Sequence, residues 1–325
     1  MGWGAGSMRV LLLAAVPCAV LQAQVEEDTI TNVYRLGDVV IHGRAAGLDL
    51  EGFMQHVRND TSFLHAFLNL RYWPHAVESG LTVRNKGEKE RATLYRKGRL
   101  LRNGPRAELR VDSASEGGKL RSRNGDMRYL TAELYDDLFW PKGTWPADNS
   151  IAAYERGRAG KGRIEKYKEE LKQFMFNPGQ EIASVPFIGE KLALFDPEMV
   201  PFCDFGIDQA FRNGHACWMF SATAKDSIGG RRAKESATVI KRMRTWFDQS
   251  TMQVIAREYR IAHASMILDF DISIQVDNAV VNGELVPTTI LYDGDWDIPF
   301  RKREIVGFWL KMGEWSTIKV SRSGP

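Results

Sequence analysis

Apolar and polar residues alternate with a period of two through much of the last third of the chain, most clearly in Phe270-Asp271-Ile272-Ser273-Ile274-Gln275-Val276. Further strands are predicted over residues 216–223, 238–247, 252–261 and 285–290. Period-two alternation turns one face of a strand toward a core and the other toward water. Sequential strands with short connections make an antiparallel sheet. Upstream, residues 81–85, 90–101 and 106–112 read as strands of a hairpin series. Asn85-Lys86-Gly87, Arg102-Asn103-Gly104 and Glu116-Gly117-Gly118 supply its turns. One more short strand falls within 31–42.

The period changes over 48–70, where Phe53, Met54, Val57, Leu64, Phe67, Leu68 and Leu70 follow helical spacing. Asp49 caps this segment, Asn59-Asp60-Thr61 breaks it with Asp60 as a second cap, and Pro74 stops it. A second amphipathic helix is predicted over 163–176, with Ile164, Tyr167, Leu171, Phe174 and Met175 on one face, inside a helical insertion spanning about 150–180. Residues 140–149 read as a loop. Asn213-Gly214 is a two-residue hairpin signal. It pairs Arg212 with His215, sets Cys217 opposite Ala210 and turns Cys203 to the other face, which favours two buried thiols over a disulfide.

Arg9 precedes an apolar run that reaches Leu21, and small Ala23 precedes a cleavage point, so residues 1–23 are predicted to be an export signal. Residues 24–47 are then an extension, and 48–325 a single α+β domain. With 325 residues, 44% hydrophobic and 26% charged, the chain has material for a large core. Its net charge of +3 does not suit a general nucleic-acid binder.

The sequence carries no nucleophile elbow, phosphate-binding glycine loop, zinc-protease motif or dinucleotide fingerprint. No catalytic residue, metal ligand or cofactor is predicted. The six histidines are scattered, and each reads as a surface or capped residue. Asp293, Asp295, Asp297 and Glu304 fall at the spacing of a calcium-binding loop, but Ile298 stands where that loop needs glycine. They read instead as an acidic turn neutralised by the basic residues that follow. The first hairpins are basic, and Arg96, Lys97 and Arg99 form a candidate contact for anionic headgroups, each cation near such a surface contributing about 1 kcal/mol. The alternative is a solvated face.

The chain resembles outer-membrane lipoprotein-sorting (LolA-like) proteins in three places. They are Cys217-Trp218-Met219-Phe220, the stretch from Val239 to Trp246-Phe247-Asp248 with its return strand Val254-Ile255-Ala256-Arg257-Glu258-Tyr259, and Leu285-Val286-Pro287-Thr288-Thr289-Ile290. Asn69-Leu70-Arg71 and Phe176-Asn177-Pro178-Gly179 are similar to uncharacterised exported proteins of Bacteroidetes-type bacteria over the whole chain. The first resemblance implies a curved antiparallel sheet, an incomplete barrel covered by helices and holding acyl chains. On that reading the protein is a non-enzymatic binder of lipid or another hydrophobic component of the cell envelope, in the periplasm or associated with the outer membrane. Its candidate cavity wall is Trp218, Phe220, Trp246, Ile255, Tyr259, Phe270, Ile272, Ile274, Ile290 and Tyr292. Periodicity cannot separate such a wall from ordinary core packing, because both put apolar side chains on one face. Two other readings remain open: an interaction protein using the basic hairpins, and a hydrolase with a dispersed site.

Overall fold

The computed structural model describes residues 32–36, 39–43, 48–158, 179, 189–265, 269–297 and 303–316, with backbone alone for 32–36, 39–43, 155–158 and 235. The predicted export signal and the predicted helix over 163–176 lie outside these residues. In chain order the elements are β1 (Asn32–Leu36), β2 (Val39–Gly43), α1 (Leu50–Asn59), α2 (Ser62–Asn69), β3 (His75–Arg84), β4 (Glu90–Asn103), β5 (Arg106–Gly118), α3 (Leu130–Phe139), β6 (Thr144–Pro146) and α4 (Ile151–Arg158). Then follow β7 (Cys203–Arg212), β8 (His215–Ala224), β9 (Ser227–Ile228), β10 (Arg231–Arg232), β11 (Ile240–Asp248), β12 (Val254–His263), β13 (Asp269–Val281), β14 (Glu284–Asp297) and β15 (Glu304–Gly313).

Thirteen of these strands form one sheet in the order β1-β2-β7-β8-β11-β12-β13-β14-β15-β3-β4-β5-β6. Its two ends, β1 and β6, are not paired with each other, so the sheet does not close into a barrel. Neighbours run antiparallel except β2 and β7, which are parallel. The β7–β8 hairpin turns at Asn213 and Gly214, both at positive φ (51° and 87°), the backbone of a type I′ turn. It pairs Arg212 with His215 and Ala210 with Cys217, the predicted register. Cys203 and Cys217 are both buried free thiols in different apolar clusters.

Several elements depart from the sequence reading. The single predicted N-terminal strand is a hairpin of two, β1 and β2. β3 starts at His75, ahead of the predicted 81, because its whole length is held between β15 and β4. Glu116-Gly117-Gly118 is no turn: it continues β5, pairing with Leu94, Thr93 and Ala92. A Cβ at Gly118 would collide with the Arg91 carbonyl, so the glycine there serves a close strand approach and a φ of +67°. Residues 140–149 contain the edge strand β6, and α3 was not foreseen.

One sheet face carries the main core. A row of paired residues crosses it through Ala222, Met243, Tyr259, Ile274, Tyr292, Phe308, Leu81 and Leu94. The next row runs through Phe220, Thr245, Arg257, Val276, Ile290, Leu310, Ser79 and Arg96. Three helices cover these rows. Phe53 of α1 meets Phe247 edge-on at 5.4 Å. Tyr135 of α3 stacks on Phe308 at 4.4 Å, and Phe139 stacks on it at 5.3 Å. Each large side chain so buried contributes about 1.5–3 kcal/mol, and the aromatic pairs about 0.5–1.5 kcal/mol more.

Polar groups pin the helices to the sheet. Asp49 accepts from the Gly52 amide at the start of α1, and Asp60 accepts from the Ser62 and Phe63 amides at the start of α2, as their sequence positions predict. Asp60 also lies 3.8 Å from the buried guanidinium of Arg257, which donates to Thr245 Oγ1 and sits over the Phe63 ring at 4.2 Å. At the other end of α2, Asn69 is fully buried and donates to the Leu285 carbonyl at 2.8 Å. For α3, the N-terminus is capped by Glu304 of β15, which accepts from the Leu130 and Thr131 amides and the Thr131 hydroxyl. The other end is held by Arg96 of β4, ion-paired to Asp136, and by Trp140 Nε1, which donates to Ser79 Oγ.

Candidate functional site

Beyond the C-terminal end of α2 the side chains covering the sheet thin out, and a cleft of about 430 Å³ opens there. Its floor is the sheet itself, through Val77 of β3, Leu100 of β4, Leu109 of β5 and Leu310 of β15. Its walls are Phe67, Leu68 and Leu70 at the end of α2, Leu138 and Phe139 at the end of α3, Trp145 and Pro146 of β6, and Ala153 and Tyr154 of α4. Pro141 completes the apolar lining, and Arg71, His75, Asp148 and Tyr154 are its charged or titratable members. The volume lies in the lower half of the roughly 300–1,000 Å³ usual for small-molecule sites.

Hydrogen bonds between connecting segments set these walls. Arg71 Nη2 donates to the Leu138 carbonyl at 3.2 Å and the Asp137 carbonyl at 3.4 Å, satisfying the open carbonyls that end α3. Trp145 Nε1 donates to the Arg71 carbonyl at 3.0 Å. Asn149 Nδ2 donates to Asn69 Oδ1 at 2.6 Å, and Asp148 Oδ1 accepts from the Ser150 amide at 2.9 Å just ahead of α4. The Asn69-Leu70-Arg71 triplet therefore joins α2, α3 and the β6 segment at one place.

His75 is the buried polar group of the cleft, 6% exposed. Its Nδ1 lies 2.7 Å from the Trp73 carbonyl, so that nitrogen carries the hydrogen. Its ring stacks on Trp315 at 4.2 Å. Burial pushes the imidazole from 6.5 down to about 4, against a smaller opposing effect of the bond to Trp73. The ring is therefore neutral near pH 7. His75 and His263 are both buried, which corrects the reading of all six histidines as surface or capped residues.

The sequence-predicted wall lies elsewhere on the sheet. Phe220, Tyr259, Phe270, Ile272, Ile274, Ile290 and Tyr292 all join the main core, each at most 4% exposed, with half-buried Trp218 packed at its margin. None of these lines the cleft. Trp246 is buried in the smaller cluster with Cys217 and Ala256, under the guanidinium of Arg212 at 4.7 Å. It faces away from Phe220 because its neighbour Phe247 takes the side toward α1. Ile255 belongs to the same smaller cluster, which also holds Ala66 and Leu285. Burial raises the hydroxyl pKa of Tyr135, Tyr259 and Tyr292, whose hydroxyls are sealed within the core.

The three cations singled out in the basic hairpin all have acidic partners. Arg96 is no surface cation: it is 8% exposed, paired to Asp136 and set over the Trp140 ring at 5.5 Å. Lys97 lies 3.5 Å from Glu78, and Arg99 lies 2.9 Å from Glu314 and 3.6 Å from Asp112. The acidic stretch is neutralised as well, since Arg303 pairs with Asp295 at 2.6 Å while Glu304 caps α3. Asp248, of the Trp246-Phe247-Asp248 turn, is held well below the usual carboxylate range. Its burial opposes this but is outweighed by bonds from Ser250, Thr251 and His215.

No family model matches the chain, and no curated protein matches it. Solved structures are similar at low identity, three of them as follows. A putative outer membrane lipoprotein-sorting protein domain from Vibrio parahaemolyticus is 10% identical with a TM-score of 0.27, over 84% of this chain and 93% of that one. A DUF1329 family protein from Desulfovibrio piger is 10% identical with a TM-score of 0.22, over 81% and 96%. Lipovitellin is 8% identical with a TM-score of 0.22, over 78% of this chain and 26% of that one. At TM-scores below 0.5 none of them bears on function.

Proposed function

We propose that the protein is a non-catalytic binder of a hydrophobic small molecule, and that it works in the cell envelope after export. The observation that carries this is the cleft: thirteen of its seventeen lining residues are apolar, and hydrogen bonds among Asn69, Arg71, Trp145 and Asn149 fix its walls. A held-open apolar space favours an apolar occupant, since filling it removes hydrocarbon surface from water on both sides. Export is supported by the basic and then apolar start of the chain. Among the described residues no helix is long and apolar enough to cross a membrane. Of the three hairpin cations, Arg96 is buried, while Lys97 and Arg99 are exposed beside acidic side chains.

The test is titration of the purified protein with N-phenylnaphthylamine, a neutral probe that fluoresces in apolar surroundings, alongside solvent extraction and mass spectrometry of the protein as isolated. Ala153 is half-buried on the α4 wall, so Ala153→Trp fills the cleft. We expect saturable probe binding by the native protein, and a loss of about tenfold or more in the variant, as expected when a site of this size is blocked. Absence of probe binding by the native protein, or equal binding by a folded Ala153→Trp variant, overturns the proposal.

A further inference from the structure

We infer that the cleft selects a single-chain amphiphile whose head is a hydrogen-bond donor, such as a long-chain alcohol, with His75 Nε2 accepting from it. This deepens the proposal above and rests on it. The argument begins with the tautomer. A carbonyl can only accept, so the contact with Trp73 fixes the hydrogen of His75 on Nδ1. Nε2 is then a bare acceptor that makes no hydrogen bond among the described residues, and it is not among the unpartnered atoms cut off from solvent. The ring is 94% shielded, stacked on Trp315, and part of the cleft lining. Burial keeps it neutral. An apolar chain filling the cleft would strip water from that acceptor, and a donor on the ligand makes up the loss.

Arg71 and Asp148, the charged members of the lining, disfavour a carboxylate head. The cation there, Arg71, already donates to the carbonyls of Asp137 and Leu138. Those carbonyls end α3, the negative pole of that helix. Asp148 adds a further acidic side chain to the lining. A neutral His75 with its hydrogen committed to Trp73 cannot donate to an anion. The size of the cleft, about 430 Å³, matches one chain better than a multiply acylated lipid.

The experiment compares dodecanol, dodecyl methyl ether and dodecanoate as competitors of N-phenylnaphthylamine on the full protein near neutral pH. The ether keeps the chain and the oxygen but has no hydrogen to donate. We expect dodecanol to bind about tenfold more tightly than the ether, the worth of one buried hydrogen bond, with dodecanoate weakest. In His75→Phe, which keeps an aromatic ring against Trp315, dodecanol should fall to the level of the ether and the ether should stay unchanged. Equal affinities for alcohol and ether in the native protein overturn the inference while leaving the apolar site standing. Preference for dodecanoate also overturns it. Failure of all three ligands to compete removes the underlying proposal as well.

Discussion

The two halves of the covered sheet face are built from the same kind of residue and do opposite things. Beneath α1 and α3, paired rows of apolar side chains meet the rings of Phe53, Tyr135 and Phe139 directly. Beside the ends of α2 and α3, residues of equal greasiness such as Val77, Leu100 and Leu310 look onto an open cleft. The strands do not make the difference, since both halves alternate with period two and share β3, β4 and β15. What differs is what comes down from above. Over the filled half the helices present rings directly onto the rows. Over the cleft they have ended, and hydrogen-bonded connecting segments stand around the space.

The comparison breaks most visibly if a ring is removed from the filled half. Phe308 is 4% exposed and stacked against both Tyr135 and Phe139. Phe308→Ala should cost about 3–5 kcal/mol in denaturant unfolding, because lost transfer energy and a new cavity add. A loss below about 1 kcal/mol would mean the filled half is not packed as described. The buried ion pairs are nearly as sensitive. Arg96→Ala leaves Asp136 without its closest cation and should cost about 3–5 kcal/mol, whereas Lys97→Ala, on the exposed face of the same strand, should leave stability almost unchanged. Equal effects at the two positions would return Arg96 to the surface.

Much of this contrast is readable in the sequence, and the part that is not has a physical cause. α1 and α2 were legible because their caps, Asp49 and Asp60, are local. α3 was not, because Glu304 and Arg71, which satisfy its two ends, come from distant parts of the chain. The inward position of Arg96 was present in the pattern and went unread. Ala92, Leu94, Arg96, Gly98 and Leu100 form the inner set of β4, and the charge of Arg96 drew it into a surface patch instead. Arg257 repeats the case between Ile255 and Tyr259. The cleft itself has no sequence signature. Its lining comes from eight elements and the segments between them, and the His75 ring is covered only when Trp315 folds over it.

His75 gives a prediction of intermediate size that separates the cleft from the core by pH. Its value is about 4 in the folded protein and 6.5 in the unfolded chain. Above pH 6.5 both states are neutral and the residue contributes no pH dependence. As pH falls from 6.5 toward 4, the unfolded chain takes the proton first. Stability therefore drops, by about 3 kcal/mol in all once the pH lies below 4. His75→Phe should remove that portion of the loss from denaturant titrations run between pH 7 and 4. An identical pH profile in the variant would place His75 in contact with water.

The smallest expected effect is the sharpest test of emptiness. Leu109 on β5 is half-buried and lines the cleft floor beside its partner Leu100. In a packed core a leucine cut back to alanine costs about 2–5 kcal/mol, mostly because surrounding atoms lose contacts they cannot replace. At Leu109 part of that space is already open, so fewer contacts exist to lose. Leu109→Ala should cost about 1 kcal/mol or less, and should admit a longer or bulkier chain in the competition assay. A cost in the range seen for Phe308→Ala would show that Leu109 meets a packed surface in solution, and the distinction between the two halves of the sheet would then fail at the position where it is most finely drawn.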